Sequence, residues 1–438
     1  MFKNWFGSSE DSGGRQGTEG QRVAAQEALA ETVPGFLLRQ PIMDVSNRVV
    51  GHDLGYRETS SAPGVDVLLH ALDESTLGGF ARLDLSGING LLFLRINPAL
   101  LEDERLGLLP RQHVVLVLDA SAPGFAAQHG EPMRVSAGEG WRLALDNPSE
   151  MTDEDPLLPA LYCLRFDLRR YNAVELDQQI KALGTRRASL MLIARQVESE
   201  DEYEACQAMA FDAFQGYFFV RVREQWPRRI DHDRIRVMRL LNLVAQHAEI
   251  PELDSVIRRD AMLAYKLLAY INSPLSGLDH QLSSISQALM FLGYEPLYRW
   301  LTVLLFTCGT RHPRDRMLLQ QALLRARLLE LIGLAALTRK DSEALFLVGM
   351  FSLFDALFNV SMEEALEPLN LAGAIRGALL SAAGPYAACL QLGIALEGGQ
   401  WYDADALARS IGLDADRVNP LLVEAMAWSS TLDNLPLD

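Results

Sequence analysis

The sequence has few cysteines, and it has fewer basic residues than acidic ones. Its four cysteines, Cys163, Cys206, Cys308 and Cys389, stand far apart, without the spacing of a zinc site or a disulfide framework. Lys and Arg number 40 against 57 Asp and Glu, which gives a formal net charge of −17. Such a charge repels phosphate backbones and anionic lipid. We therefore predict reduced, buried cysteines and no nucleic-acid partner.

The sequence also lacks a long apolar run and an apolar signal core. The longest strongly apolar stretch, at 344–354, is far shorter than the roughly 20 residues of a membrane-spanning helix. We predict a cytoplasmic protein without a membrane span. Residues 1–34 are predicted to form a flexible tail, because 8–20 is rich in Gly, Ser, Asp and Glu. The aromatic residues Phe2, Trp5 and Phe6 in front of it are a frayed end, a docking peptide or a membrane-surface anchor.

Residues 35–225 alternate short apolar runs with longer amphipathic stretches, a pattern typical of βα units. The steps between successive strand ends suit one strand, one helix and two loops. Polar residues recur at these ends, where a (β/α) barrel places its site. The predicted strands end at Asn97, Asp119, Asp146, Asp167 and Ala194, the last just before Arg195 and Glu198.

Residues 226–438 lose this alternation and repeat near 3.6 residues, the period of amphipathic helices. Prolines and nearby glycines divide this half into a predicted eight to ten helices. The predicted boundary lies near Trp226 and Pro227. The expected fold class is therefore multidomain, an α/β barrel joined to an all-α domain.

Several motifs resemble those of one family of bacterial signalling proteins. They are RQPIMDVSNRVVGHDLGYR at 39–57, RINPALL at 95–101, FQGYFFVR at 214–221, LLAYINSP at 267–274, SISQALMFLG at 284–293 and FLVGMFSLFDALF at 346–358. The first half resembles an EAL domain, the barrel that cleaves cyclic di-GMP, and the second half resembles an HDOD domain. The resemblance implies a role in cyclic di-GMP outputs such as motility or surface attachment.

Hydrolysis in this family uses two divalent ions held by several convergent carboxylates. In the resemblance Asp53 replaces the Glu of the Glu-Ala-Leu motif. Four positions depart from the active pattern: Val117, Asn147, Arg165 and Arg195. Val117 aligns with a Glu of the family, and Asp119 could replace that Glu only if the strand slips by two residues. Five positions match: Asn97, Asp146, Asp167, Glu198 and Gln215.

The departures replace metal ligands by neutral or cationic groups, so the resemblance implies a vestigial pocket with no metal and no catalytic residue. Arg195 is expected to pair with Asp167 or Asp146. A retained nucleotide site would instead use Arg57, Arg165, Arg195 and Gln215, because guanidinium groups bind phosphate in bidentate fashion.

The helical half resembles HD phosphohydrolases, which bind metal through His and an adjacent His-Asp pair. The segment aligned with that pair presents Phe351 and Ser352, so no metal site is expected. Asp231, His232 and Asp233 form a local His-Asp pair that we interpret as a solvated helix start.

Three functions stay open. The preferred one is a non-catalytic signalling adaptor that binds an unknown protein through its HDOD domain and needs no cofactor. The second is a receptor that binds cyclic di-GMP without hydrolysing it. The third is a cyclic di-GMP phosphodiesterase that depends on Mg²⁺ or Mn²⁺.

Overall fold

The N-terminal half forms a closed eight-stranded barrel. The computed structural model describes residues 35–58, 71–148, 151–220, 222, 228–273, 281–309, 313–397 and 403–431. The predicted tail at 1–34 and the predicted boundary near Trp226 lie outside the described residues and stay predictions. The strands are β1 (Gly35–Asp44), β2 (Val49–Glu58), β3 (Leu91–Arg95), β4 (Val114–Asp119), β5 (Arg142–Asp146), β6 (Cys163–Asp167), β7 (Met191–Arg195) and β8 (Ala213–Gln215).

The first strand runs against the rest of the barrel. β1 pairs antiparallel with both β2 and β8, whereas every other neighbouring pair is parallel. A tight turn, in which Asn47 has a positive φ of 58°, joins β1 to β2, and so short a connection allows only an antiparallel pair. The sequence pattern predicted a parallel sheet, and this strand is a correction to it.

The connections differ from the expected helix after each strand. The barrel helices are α1 (Glu74–Ala81), α2 (Phe125–Gly138), α3 (Ala173–Ala182) and α4 (Glu200–Ala208). In the described residues between β3 and β4, and between β5 and β6, only short 3₁₀ turns occur. The predicted helix in each unit is therefore wrong at these two places, where Pro98 and Pro159 each lie within a 3₁₀ turn.

Alternate residues of each strand face the barrel interior. Away from the carboxyl ends of the parallel strands, the barrel interior is apolar and includes Ile42, Phe93, Val115, Val117 and Ala144. The same inward alternation continues to the carboxyl ends of the strands, where the side chains become polar. The outward faces pack into the main hydrophobic core.

Thirteen helices form the described part of the C-terminal half, more than the eight to ten predicted. Short helices after the turns at Ser352 and Asn359 account for part of the excess. The helices are α5 (His232–Ala245), α6 (Ile250–Arg258), α7 (Ala261–Ile271), α8 (Ile285–Leu292), α9 (Tyr294–Thr307), α10 (Pro313–Ala336), α11 (Arg339–Phe351), α12 (Phe354–Phe358), α13 (Met362–Leu366), α14 (Gly373–Ser381), α15 (Ala387–Leu396), α16 (Ala404–Ser410) and α17 (Ala415–Ser430). None of the helices in the described residues has the length and apolarity to cross a bilayer. The predicted α/β barrel and all-helical region are confirmed.

The helical half packs directly on β1. α15 and α17 contact this strand, and Asn419 of α17 binds its backbone twice. The Asn419 Oδ1 atom accepts from the Leu37 amide at 2.8 Å, and its Nδ2 atom donates to the Gly35 carbonyl at 2.8 Å. Because these backbone groups are buried, the helical half satisfies polar groups that β1 would otherwise leave unpaired.

We expect Asn419→Leu to lower the free energy of unfolding by about 2 kcal/mol, because two buried backbone groups lose their partners. Urea unfolding of the full chain measures the change. Asn242→Leu is the matched control, since Asn242 makes the same pair of bonds to Pro368 and Asn370 inside the helical half. Only the Asn419 variant should separate barrel unfolding from helix unfolding, and a single transition in both variants would contradict this role.

The buried side chain of His52 on β2 makes the stability of the protein depend on pH. Burial, reinforced by the charge of Arg39, lowers the pKa of His52 to about 3. The unfolded chain takes up this proton near pH 6.5, so between pH 6.5 and 3 it binds more protons than the folded chain, and stability falls as pH falls. We expect His52→Asn to flatten the loss of stability across this window by up to about 1.4 kcal/mol per pH unit. Urea titrations at stepwise pH measure it, and parallel curves for variant and wild type would be the contrary result.

Candidate functional site

The carboxyl ends of the parallel strands carry a buried cluster of opposite charges. The arginine cluster comprises Arg95 on β3, Arg165 on β6 and Arg195 on β7, together with Asp53 on β2 and Asp146 on β5. All five side chains are at most 4% exposed. They share one place because each occupies an inward position of its strand, and parallel strands bring those positions to one end of the barrel.

Both carboxylate oxygens of Asp53 contact arginine side chains. The two guanidinium nitrogens of Arg165 donate to its two oxygens, NH1 to Oδ1 at 3.1 Å and NH2 to Oδ2 at 2.6 Å. The NH2 atom of Arg195 lies 3.7 Å from the same Oδ2. The residue at the position of the family's motif Glu is thus one half of a bidentate ion pair.

Asp146 is contacted by all three arginines. Arg165 Nε lies 2.9 Å from Oδ1, as an ion pair without hydrogen-bond alignment. Arg195 NH1 donates to Oδ2 at 3.1 Å, and Arg95 NH2 pairs with the same oxygen. Arg195 therefore pairs with Asp146, one of the two partners expected from the sequence.

The cluster holds three cations and two anions in the barrel interior. Asp119 at the end of β4 is 39% exposed and lies 3.4 Å from Arg95, so it supplies the third anion from the rim. Burial, followed by repulsion from Arg195 and Arg165, lowers the pKa of Arg95 to about 9. Arg95 stays protonated near neutral pH because this pKa lies above 7.

Gln215 orients the cluster from β8. Its Oε1 atom accepts from Arg195 Nε at 3.0 Å, and its Nε2 atom donates to Gln40 Oε1 at 2.7 Å. The next residue, Gly216, has φ 156°, and a Cβ there would overlap the Val197 backbone. Gln215 therefore orients the cluster, and Gly216 allows the close approach of the two backbone segments.

The other predicted site residues do not join the cluster. Asn97 is exposed and caps a 3₁₀ turn through Ala99. Glu198 is exposed as well. Asn147, with a positive φ of 48°, accepts through Oδ1 from the Asp167 amide at 2.8 Å. The structure places Asp167 elsewhere: its carboxylate caps a turn and pairs with Arg169 at 2.7 Å.

The pKa of Asp167 falls below its ordinary value. Burial acts to raise it, but hydrogen bonds from Arg169 outweigh that effect. Val117 faces the apolar interior and pairs in register with Arg95 and Ala144. Asp119, two residues later, lies at the rim, and its substitution for the family's carboxylate stays a prediction. The side chain of Arg57 lies outside the described residues, and its predicted ligand contact stays a prediction.

Two ions of the kind that the family uses do not fit these residues. Both oxygens of Asp53 and both oxygens of Asp146 contact guanidinium groups. No group of three or more His, Cys, Asp or Glu suited to a metal occurs among the described residues. What the cluster can do chemically is to hold the strand ends together by buried ion pairs.

Sequence reasoning missed Arg95 and Gln40. Arg95 lies two positions after Phe93 on an inward-facing row, so period-two alternation alone would have placed its guanidinium in the barrel. Gln40 gives no comparable signal, because its role depends on the antiparallel direction of β1. Both residues are buried.

In the helical half, the segment aligned with the His-Asp pair carries a different polar network. The Ser352 Oγ atom accepts from Arg325 NH1 at 2.7 Å, and Arg325 forms two bonds to Glu397, at 2.7 and 2.5 Å. Asp231 caps α5, which begins at His232. The interpretation of this local pair as a helix start is confirmed.

Comparison with known proteins finds one matching domain family and two relatives that match most of the chain. Residues 234–369 match the HDOD domain family. The chain is 27% identical to cyclic di-GMP phosphodiesterase CdgJ of Vibrio cholerae, covering 91% of this chain and 93% of that protein. It is also 27% identical to the uncharacterized protein YuxH of Bacillus subtilis, covering 91% of this chain and 98% of that one. The predicted HDOD domain is confirmed.

Solved EAL-domain structures align with up to half of the chain. Klebsiella pneumoniae BlrP1 in complex with calcium and cyclic di-GMP gives a TM-score of 0.34 at 14% identity, covering 50% of this chain and 68% of that one. The FimX EAL domain from Pseudomonas aeruginosa bound to cyclic di-GMP gives 0.34 at 18%, covering 45% and 94%. The barrel therefore has the EAL-domain structural neighbours that the motifs predicted, and at these values the likeness concerns the fold alone.

Proposed function

We propose that this chain, an HDOD domain joined to a barrel with EAL-domain neighbours, is a non-catalytic regulator in a cyclic di-GMP-related pathway. It acts by contact with another protein. The observation that supports this proposal is the arginine cluster, in which guanidinium groups contact every oxygen of Asp53 and Asp146. Divalent ions would have to displace buried ion pairs in order to bind there, and the guanidinium charges would repel them.

A second candidate, a cyclic di-GMP phosphodiesterase, is favoured by one observation. The Vibrio cholerae relative carries that activity in its name and matches 91% of this chain. Titration calorimetry of cyclic di-GMP into the full chain with Mg²⁺ and Mn²⁺, followed by chromatography for linear product, separates the candidates. The proposal expects neither heat nor product. Metal-dependent product would establish the phosphodiesterase instead.

Heat without product would support the remaining candidate, a receptor that does not hydrolyse cyclic di-GMP. The structure buries Arg165 and Arg195 completely, so a receptor would have to bind through groups other than these two, and Arg57 is the remaining arginine for which the sequence predicts a phosphate contact. Arg57→Ala should then abolish the heat, while Arg186→Ala, on the turn before β7, should leave it unchanged. If Arg57→Ala retained full affinity, the notion of a phosphate contact at this position would be wrong.

The contact surface that we propose lies on α7 and α8. Met262, Tyr265, Met290 and Phe291 are 47–69% exposed on these two helices, and exposed Met and aromatic side chains suit adaptable protein contacts. A photo-crosslinking residue at position 265 should join the partner in the native cell. The same residue at Val174, equally exposed on the barrel, should not, and equal labelling at both positions would refute this surface.

A further inference from the structure

A small cavity lies between the barrel and the helical half. Its volume is about 30 Å³. From the barrel, Arg39, His52 and Asn89 line it, and Gln320 and Gln321 of α10 line it from the helical half. Cavities at domain interfaces are common places for bound ligands.

Two buried donors at this cavity lack a partner among the described residues. Arg39 and Gln321 are 2% and 3% exposed. Arg39 NH2 donates to Gln321 Oε1 at 2.5 Å, which fixes the orientation of the amide, and NH1 faces His52 Nδ1 at 3.4 Å. The Nε atom of Arg39 and the Nε2 atom of Gln321 have no hydrogen-bond partner in the described chain. Both free groups are donors, so the complement that they need is an acceptor.

The surrounding charge is also unbalanced. The charged groups that act on Arg39 are Arg325 and Glu397, and Arg325 already takes both oxygens of Glu397. Arg39 and Arg325 therefore share the carboxylate of Glu397, while Asp355, the other carboxylate that acts on Arg325, is also acted on by Arg314. His52 adds no charge near neutral pH, because its pKa is about 3. A buried excess charge of +1 is costly unless a counter-charge lies close to it.

We propose that this cavity binds a small monovalent anion of the size of chloride, held by Arg39 and Gln321. A water molecule occupies roughly 10–15 Å³ by this kind of measure, so a cavity of about 30 Å³ has room for a monatomic anion. The anion balances Arg39 and accepts from the two free donors. It also touches both halves of the chain, so its binding stabilises their association.

Thermal unfolding of the full chain at constant ionic strength tests the site, with sodium gluconate replaced stepwise by sodium chloride. Wild type should gain about 2–4 °C in Tm and reach a plateau. Arg39→Met, which keeps the apolar stem and removes the charge, should lose the gain. Arg234→Met is the matched control, since Arg234 is fully buried but paired with Asp315, and it should keep the gain. A gain that persists in Arg39→Met, or none in wild type, would overturn the proposal.

Crystals of wild type soaked in sodium bromide locate the ion without any substitution. The expected result is an anomalous bromide peak within hydrogen-bond distance of Arg39 Nε and Gln321 Nε2. This measurement decides the matter if Arg39→Met fails to fold. Bromide peaks confined to the outer surface would reject the site.

Discussion

Asp146→Asn should lower the free energy of unfolding by about 3–5 kcal/mol, the usual cost of breaking a buried ion pair by removing one partner. The side chain keeps its shape but loses the charge that three guanidinium groups contact. The interior then holds three cations against Asp53 alone. Urea unfolding of the full chain, followed by fluorescence and circular dichroism, measures the loss.

The sign of this effect separates the proposed regulator from an enzyme. In a functional metal pocket without its ions, neighbouring carboxylates repel one another, so neutralising one of them stabilises the protein. In the arginine cluster the same change destabilises it. A gain in stability for Asp146→Asn would therefore count against the arginine cluster and in favour of a metal site.

Two controls accompany this variant. Adding Arg195→Met to Asp146→Asn restores the interior excess to one positive charge, so part of the lost stability should return. Asp177→Asn removes one partner of an exposed pair with Lys181, and it should cost less than about 1 kcal/mol. Equal losses in Asp146→Asn and Asp177→Asn would show that burial of the cluster does not matter.

The barrel was predictable from the sequence because strand alternation has a period of two. Apolar runs ending in polar residues located β3 to β7, and the inward alternation fixed which polar side chains would meet. The direction of β1 was not predictable in this way, because alternation is the same in parallel and antiparallel strands. Gln40 was missed for that reason.

The site was predicted only in part. Asp53, Asp146, Arg165, Arg195 and Gln215 lie together, since each occupies an inward strand position. Asn97 lies just after β3, and Asp167 is the last residue of β6. A 3₁₀ turn begins at each of these places, and the side-chain oxygen of each residue accepts a hydrogen bond from a backbone amide of that turn. Asn and Asp favour such capping positions, so local backbone hydrogen bonds decided their role.

Glu397→Gln should have an effect as large as that of Asp146→Asn, about 3–5 kcal/mol, but at the junction of the two halves. Glu397 forms both of its carboxylate bonds with Arg325, and burial leaves each side chain at most 6% exposed. Burial acts to lower the pKa of Arg325, yet Glu397 raises it above the ordinary value. The amide keeps the shape and leaves the backbone carbonyl that accepts from Tyr217 in place. The variant therefore tests charge alone, by urea unfolding.

Glu397→Gln also changes the net charge at this junction, so we expect it to change the response of the protein to chloride. With Glu397 neutral, the excess positive charge of Arg39 and Arg325 beside the cavity rises by one, and Asp355 is the carboxylate that still acts on Arg325. Chloride should then raise the Tm of Glu397→Gln by more than it raises that of wild type. Adding Arg325→Met returns the excess to one charge, so both the stability and the wild-type chloride response should recover. A Glu397→Gln variant with wild-type stability and an unchanged chloride response would mean that charge balance does not hold this junction together.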